Sequence, residues 1–219
     1  MRHRFDLSLY LITDPLLCGV RGVSETVRGA VRGGVTMVQL RDPLAKTRPL
    51  VEEARHLAAI LKPAGVPFIV NDRVDVALAA DADGVHVGQS DMAPADVRRL
   101  IGRGRLLGLS ITSEADLDLS DLSEVDYLGV GPVYATATKL DAAPPMAIGG
   151  LQAIAARTRL PIVAIGGLHA GNAADAVAAG ADGVAVVSAI CTAPDPAVAA
   201  AELAGILHAA REERGSHRR

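Results

Sequence analysis

The stretch "PFIVNDRVDVALAADADGVHVGQ", residues 67–89, contains a pattern that is repeated along the whole chain. It begins and ends with short apolar runs, "PFIVND" and "DGVHVGQ", which are rich in β-branched residues and end in polar ones. Continuous apolar runs of this length are typical of parallel strands that are buried on both faces. The intervening "RVDVALAA" is predicted to be a helix, so the stretch is predicted to form a strand–helix–strand unit.

The alternation continues outward in both directions. The apolar runs number eight and lie at residues 9–14, 36–42, 67–72, 83–89, 106–110, 127–131, 161–167 and 183–190. Further helical patterns lie at residues 24–34, 48–65, 172–181 and 195–213. Strand–helix alternation repeated eight times over roughly 210 residues predicts an α/β fold of the (β/α)8 TIM-barrel type. An open doubly wound sheet is the alternative, but it normally has fewer strands, and the first turn after a strand lacks the G-x-G-x-x-G motif.

The chain is predicted to form one domain over residues 1–219, because no linker, low-complexity tract or change of composition divides it. We expect the barrel core to cover residues 9–210. The polar tail, residues 211–219, is expected to fray.

Charge and cysteine content exclude several classes of function. The formal net charge is −3 and no basic stripe is present, which argues against nucleic acid or an acidic membrane as the main partner. The sequence contains no run of about 18 uncharged apolar residues, so it predicts no membrane-spanning helix. Cys18 and Cys191 match no metal-ligand spacing and suit a reducing compartment, so we expect a cytoplasmic protein.

Polar residues follow most of the predicted strands, where a barrel of this class carries its active site. They are Asp14, Gln39, Arg41, Asn71, Asp72, Gln89, Asp91, Ser110, the loop 136–139 with Thr136, Thr138 and Lys139, the pair Gly166 and Gly167, and Ser188. The mixture of cations, acids and hydroxyls favours a binding site over a simple set of turns.

Two groups of these residues have a specific interpretation. "AIGG" (164–167) and "VVSAI" (186–190) follow the last two strands, where glycines let backbone N–H groups approach a phosphate; a plain tight turn at Gly166 and Gly167 is the alternative. Asp72 and Asp91 end neighbouring strands and suit Mg²⁺, which takes one or two carboxylates plus phosphates and waters. Asp72 alone could instead cap the following helix.

The motifs "YLITD", "GVTMVQLRD", "NDRVDVALAADADGVHVGQSDM", "GPVYATATK", "IVAIGG" and "GVAVVSAI" together resemble those of the thiamine phosphate synthase family. The resemblance extends from residue 9 to residue 190. It implies a single-domain TIM barrel and a magnesium-dependent transferase. Such an enzyme joins hydroxymethylpyrimidine diphosphate to thiazole phosphate and releases pyrophosphate; whether it forms a homo-oligomer is left open.

The resemblance also implies a role for each residue that matches the family pattern. The pyrimidine diphosphate would contact Gln39, Arg41, Asn71, Ser110 and Lys139. The thiazole phosphate would be held by Thr136, Ala137, Thr138, Gly167, Val187 and Ser188. Mg²⁺ would be held by Asp72 and Asp91, and the residues expected to act in catalysis are Arg41, Ser110 and Lys139.

One position departs from the family pattern. The usual Gln-Leu-Arg-x-Lys has Pro43 in place of its lysine, and proline cannot neutralise a diphosphate. Either Lys46 supplies the missing charge, or the enzyme works with one cation fewer. Two other functions are considered, a thiazole tautomerase of the same fold and a non-catalytic sensor of a phosphorylated ligand. Neither has a reason to keep Asp72, Asp91 and Lys139 together.

Overall fold

A computed structural model describes residues 5–138 and 143–217. Within these ranges eight parallel strands pair in sequence order, and β1 also pairs with β8, which closes the barrel. The strands are β1 Leu9–Ile12, β2 Met37–Leu40, β3 Phe68–Asn71, β4 Gly84–Val87, β5 Leu106–Ile111, β6 Tyr127–Val130, β7 Ile162–Ile165 and β8 Gly183–Val186. The predicted barrel is therefore confirmed; seven strands lie inside their apolar runs, and β5 extends one residue beyond its run, to Ile111.

Helices connect the strands and surround the barrel. They are α1 Pro15–Cys18, α2 Gly22–Arg32, α3 Thr47–Ala64, α4 Val74–Ala79, α5 Pro94–Ile101, α6 Glu114–Leu119, α7 Ala147–Arg157, α8 Ala173–Ala178, α9 Ser188–Cys191 and α10 Pro196–His217, with a 3₁₀ turn at Gly19–Arg21. In the described part of the chain, no helix combines the length and apolar character needed to cross a bilayer.

The expectation for the start of the tail was wrong. Residues 211–217 do not fray but continue α10. Arg214 donates to the carbonyl of Val177 and forms an ion pair with Asp182, while Arg211 pairs with Asp6. Because these contacts tie the last turns to the barrel, the helix extends beyond the apolar pattern from which its end was predicted.

Two hydrophobic cores result from the alternation of side chains along each strand. The larger one lies between the strands and the helices. The smaller one fills the barrel interior and includes Tyr10, Met37, Ile69 and Tyr127. The interior also contains polar side chains in its upper half, among them Gln39 and His86, which are 2% and 8% exposed.

The bottom of the barrel is fastened by a contact that occurs four times. The residue before each even-numbered strand donates its backbone N–H to the carbonyl of a residue at the start of the preceding strand. Its side chain accepts the backbone N–H of that strand residue. We call this pair of hydrogen bonds a clasp. Asp83, for example, bonds both backbone groups of Phe68, at 2.8 Å each. The other clasps join Thr36 to Leu9, Asp126 to Leu107 and Asp182 to Ile162.

Two free cysteines that are distant in sequence meet between α1 and α9. Cys18 and Cys191 are both buried, and the hydrogen bond between their thiols, together with burial, raises the pKa of Cys191.

Candidate active site

A cavity of about 210 Å³ opens at the carboxyl ends of the strands. Its lining includes most of the side chains that the sequence predicts for the site: Gln39, Arg41, Asn71, Asp72, Asp91, Ser110, Thr136, Thr138, Gly167, Val187 and Ser188. Ala137 is exposed and does not line the cavity, although both of its neighbours do. Lys139 lies outside the described residues.

The loop after β6 is held against the loop after β7 by backbone contacts. Val133 donates its N–H to the carbonyl of Ile165 at 2.8 Å, and Tyr134 donates to the carbonyl of Gly166 at 3.0 Å. Gly166 and Gly167 have φ angles of +98° and +64°, a region that favours glycine. A Cβ on Gly167 would lie 2.6 Å from the carbonyl oxygen of Ala135, closer than atoms can approach. The glycine pair therefore does more than turn the chain, since it admits the Thr136 loop to the rim.

The two predicted metal ligands lie on the same side of this cavity. Asp72 follows β3 with a φ of +59°, donates its N–H to the carbonyl of His86 and accepts a hydrogen bond from the side chain of Asn71 at 2.6 Å. Asp91 accepts the N–H of Gly88 at 2.8 Å. Both carboxylates are exposed to the cavity. α4 has Arg73 at its cap position, and the side chain of Arg73 makes no capping hydrogen bond.

The fit to Mg²⁺ rests on the chemistry of these donors. Two carboxylates and one amide that line one cavity are the number and kind of ligand this cation takes from a protein when phosphate oxygens and waters supply the rest. Among residues 5–138 and 143–217 no cluster of three or more His, Cys, Asp or Glu side chains could hold a metal without such help.

The segment after β2 carries one cation into the cavity. Arg41 is half-buried, lines the cavity and donates its backbone N–H to the hydroxyl of Thr13 at 3.2 Å. Pro43 lies in an exposed turn that Asp42 closes by accepting two backbone N–H groups. Lys46 is the exposed residue directly before α3 and is not part of the cavity lining. The role of Lys46 as a substitute lysine stays a prediction.

A line of hydrogen-bonded side chains runs through the barrel beneath the cavity. Gln39 contacts Tyr10, Tyr10 contacts Tyr127, Tyr127 contacts His86, and His86 contacts Ser110, over distances between 2.8 and 3.2 Å. Burial raises the pKa of both tyrosines, so their hydroxyls stay protonated. The sequence predicted the first and last members of this line but not the tyrosines.

Comparison with known proteins agrees with this geometry. The model of the thiamine monophosphate synthase family matches residues 9–190. The matched residues make up most of the chain and include every predicted site residue. The chain belongs to the thiamine monophosphate synthase family.

Similar proteins support the assignment over nearly the full chain. A thiamine-phosphate synthase of Xanthobacter autotrophicus is 59% identical over 96% of this chain and all of the relative. That of Azorhizobium caulinodans is 52% identical with the same coverage. A solved thiamine phosphate pyrophosphorylase from Pyrococcus furiosus superposes with a TM-score of 0.85 at 36% identity, covering 93% of this chain and 96% of that one.

Membership of the thiamine monophosphate synthase family does not by itself reveal the tyrosines of the interior. Tyr10 and Tyr127 lie 117 residues apart, inside strands whose other residues are apolar, so no local motif connects them. The available signal is composition, since the chain has only three tyrosines and two of them occupy the barrel interior.

Proposed function

We propose that this chain is a thiamine phosphate synthase, which joins hydroxymethylpyrimidine diphosphate to thiazole phosphate and releases pyrophosphate. The observation that carries the proposal is the division of one cavity into a side whose ligands suit a cation that binds a diphosphate and a side whose donors suit a phosphate. Carboxylates and an amide line it after β3 and β4, while glycines and hydroxyls line it after β6, β7 and β8. An enzyme that joins two phosphorylated substrates needs both sides within one cavity, and the family assignment agrees.

The pyrimidine diphosphate binds on the side of Gln39, Arg41, Asn71 and Ser110 under this proposal. Arg41 has a guanidinium that suits bidentate contact with phosphate oxygens. As the bond from the pyrimidine methylene to the diphosphate oxygen breaks, negative charge develops on the leaving group. Arg41 and Lys139 stabilise that charge electrostatically.

The thiazole phosphate binds on the side of Thr136, Thr138, Gly167 and Ser188, with the main chain of Ala137 and Val187 between them. The hydroxyls and backbone N–H groups on this side would supply neutral donors, as in the phosphate sites of other barrels. Anchoring at the phosphate orients the thiazole nitrogen toward the pyrimidine methylene carbon. That nitrogen becomes quaternary without losing a proton, so the site needs no catalytic base, and positioning provides much of the rate enhancement.

Magnesium is part of the proposal. Asp72 and Asp91 would hold the ion, and Asn71 orients the carboxylate of Asp72 through its hydrogen bond. When bound, Mg²⁺ neutralises the diphosphate and makes it a better leaving group.

A cytoplasmic location is also proposed. Its support is the state of Cys18 and Cys191, which meet in the fold yet are free thiols. A buried pair of neighbouring cysteines without a disulfide suits a reducing compartment.

The direct test incubates the purified protein with both substrates and MgCl₂ and measures thiamine phosphate and pyrophosphate separately. We expect the two products in equal amounts, and neither product when one substrate is omitted. A protein that binds thiazole phosphate tightly but forms no thiamine phosphate would contradict the proposal and favour a sensor. Isomerisation of a thiazole phosphate without condensation would favour a tautomerase.

A further inference from the structure

The hydrogen-bonded line from Gln39 to Ser110 has a direction. Gln39 donates from Nε2 to the hydroxyl of Tyr10 at 2.8 Å. Tyr10 therefore acts as an acceptor on that side, and its own proton points to the hydroxyl of Tyr127, 3.0 Å away. The opposite direction would leave a buried hydroxyl proton without an acceptor, which is costly.

The same argument continues to the histidine. Because Tyr127 accepts from Tyr10, its proton is donated to Nδ1 of His86, at 3.2 Å. A neutral imidazole that accepts at Nδ1 carries its proton on Nε2. Nε2 then donates to Oγ of Ser110, at 2.9 Å. As an acceptor from His86, Ser110 keeps its own proton for a group in the cavity.

Packing holds this arrangement in place. Tyr10 and Tyr127 are 1% and 0% exposed. Glycines make room for the rings, because a Cβ on Gly108 would lie 2.3 Å from Nδ1 of His86 and one on Gly129 would lie 2.9 Å from its Cε1. Burial raises the pKa of both tyrosines, so each remains a donor over the whole working range of pH.

We propose that Tyr127 and His86 are positioning residues that fix the hydroxyl of Ser110 as a hydrogen-bond donor toward the pyrimidine diphosphate. The inference rests on the proposed function for the identity of that substrate. Ser110 lines the cavity, whereas Tyr127 does not, so Tyr127 acts only through the line of side chains. Without its donor at Nδ1, His86 can adopt the other tautomer and accept the proton of Ser110, which then no longer faces the substrate.

The test is Tyr127→Phe, which removes one oxygen and keeps the ring. We expect kcat to fall about tenfold, part of the 10²–10³-fold effect of deleting a donor aimed at developing charge. The KM for thiazole phosphate should not change. The matched control is Thr26→Val, which removes a buried hydroxyl that bonds the carbonyl of Gly22 in α2, away from the cavity. It should retain the kcat of the unmodified enzyme.

A double-mutant cycle separates positioning from general loss of structure. In a Ser110→Ala background, Tyr127→Phe should cause no further loss of kcat, because the hydroxyl it orients is gone. If the losses in kcat multiply, or if Tyr127→Phe leaves kcat unchanged, the inference is overturned.

A second measurement needs no turnover. In the substrate-free, unmodified enzyme, ¹⁵N NMR should show His86 as the Nε2–H tautomer, and Tyr127→Phe should shift it toward Nδ1–H. An Nδ1–H tautomer in the unmodified enzyme would overturn the inference even if the enzyme forms thiamine phosphate. Should Tyr127→Phe fail to fold, His86→Gln should retain more kcat than His86→Leu, since the amide can still donate to Ser110; equal losses would also overturn it. Absence of turnover by the unmodified enzyme would instead contradict the proposed function.

Discussion

Replacement of Gly167 by alanine tests whether close packing at the rim creates the thiazole phosphate site. A Cβ at this position would lie 2.6 Å from the carbonyl oxygen of Ala135 and 2.8 Å from Cβ of Tyr134. Ordinary contacts begin near 3.4 Å, so the loop must move by about 0.8 Å. Displacements of about 1 Å at a reacting centre can cost about 10²-fold in rate.

Gly65 provides a matched control. Its φ is +66°, against +64° for Gly167, but nothing lies within 4 Å of its Cβ position. It ends α3, at the opposite end of the barrel. Alanine at either position therefore has the same backbone strain, about 1–2 kcal/mol. Only Gly167→Ala adds overpacking, which costs a further 1–3 kcal/mol or so.

The two variants are compared by urea unfolding and by steady-state kinetics of thiamine phosphate formation. We expect Gly65→Ala to lower the free energy of unfolding by about 1–2 kcal/mol and to leave both KM values unchanged. Gly167→Ala should lower the free energy of unfolding by about 2–5 kcal/mol and raise the KM for thiazole phosphate at least about tenfold. Equal KM values for thiazole phosphate in the two variants would refute the role of this contact.

Three further predictions concern charge. Asp91→Asn should abolish most activity and raise the Mg²⁺ concentration needed for half-maximal rate, while Asp96→Asn on the surface of α5 should do neither; full turnover in excess EDTA would contradict a metal role. Lys139→Ala should lower kcat by about 10²–10³-fold with little change in thiazole phosphate binding. An unchanged kcat together with a raised KM for thiazole phosphate would assign this lysine to the thiazole phosphate instead. Lys46→Ala should raise the KM for the pyrimidine diphosphate and Arg48→Ala should not; equal kinetics for both would mean that the enzyme works with one cation fewer.

Much of the fold could be predicted from sequence because a barrel strand is short, apolar and buried on both faces. The apolar run at 183–190 is longer than the strand it predicts, because β8 ends at Val186 and α9 begins at Ser188. α7 gives a weaker pattern, because Gly149 and Gly150 interrupt it. The end of α10 could not be predicted, since contacts of Arg214 with distant residues, and not local periodicity, hold its last turns.

In the candidate site, too, features that follow from local sequence could be predicted and features that depend on contacts between distant residues could not. Residues that end strands, such as Asp72 and Ser110, could be predicted because parallel strands bring their carboxyl ends to one rim. The hydrogen bond between Tyr10 and Tyr127 could not, because it depends on the register of strands on different sides of the barrel. The Cβ clash that makes Gly167 necessary is likewise a property of two loops in contact.

The four clasps at the bottom of the barrel give the molecule unequal tolerance to change. Each is one of four similar fastenings, and the side-chain hydrogen bond contributes about 1 kcal/mol from the hydroxyl of Thr36 and about 1.5–3 kcal/mol from a carboxylate such as that of Asp83, so the loss of one leaves three. The residues of the rim have no such duplicates. Substitutions at Thr36 or Asp83 should therefore lower the stability of the barrel without preventing it from forming. A library of random variants should lose activity through substitutions at the rim well before it loses the fold.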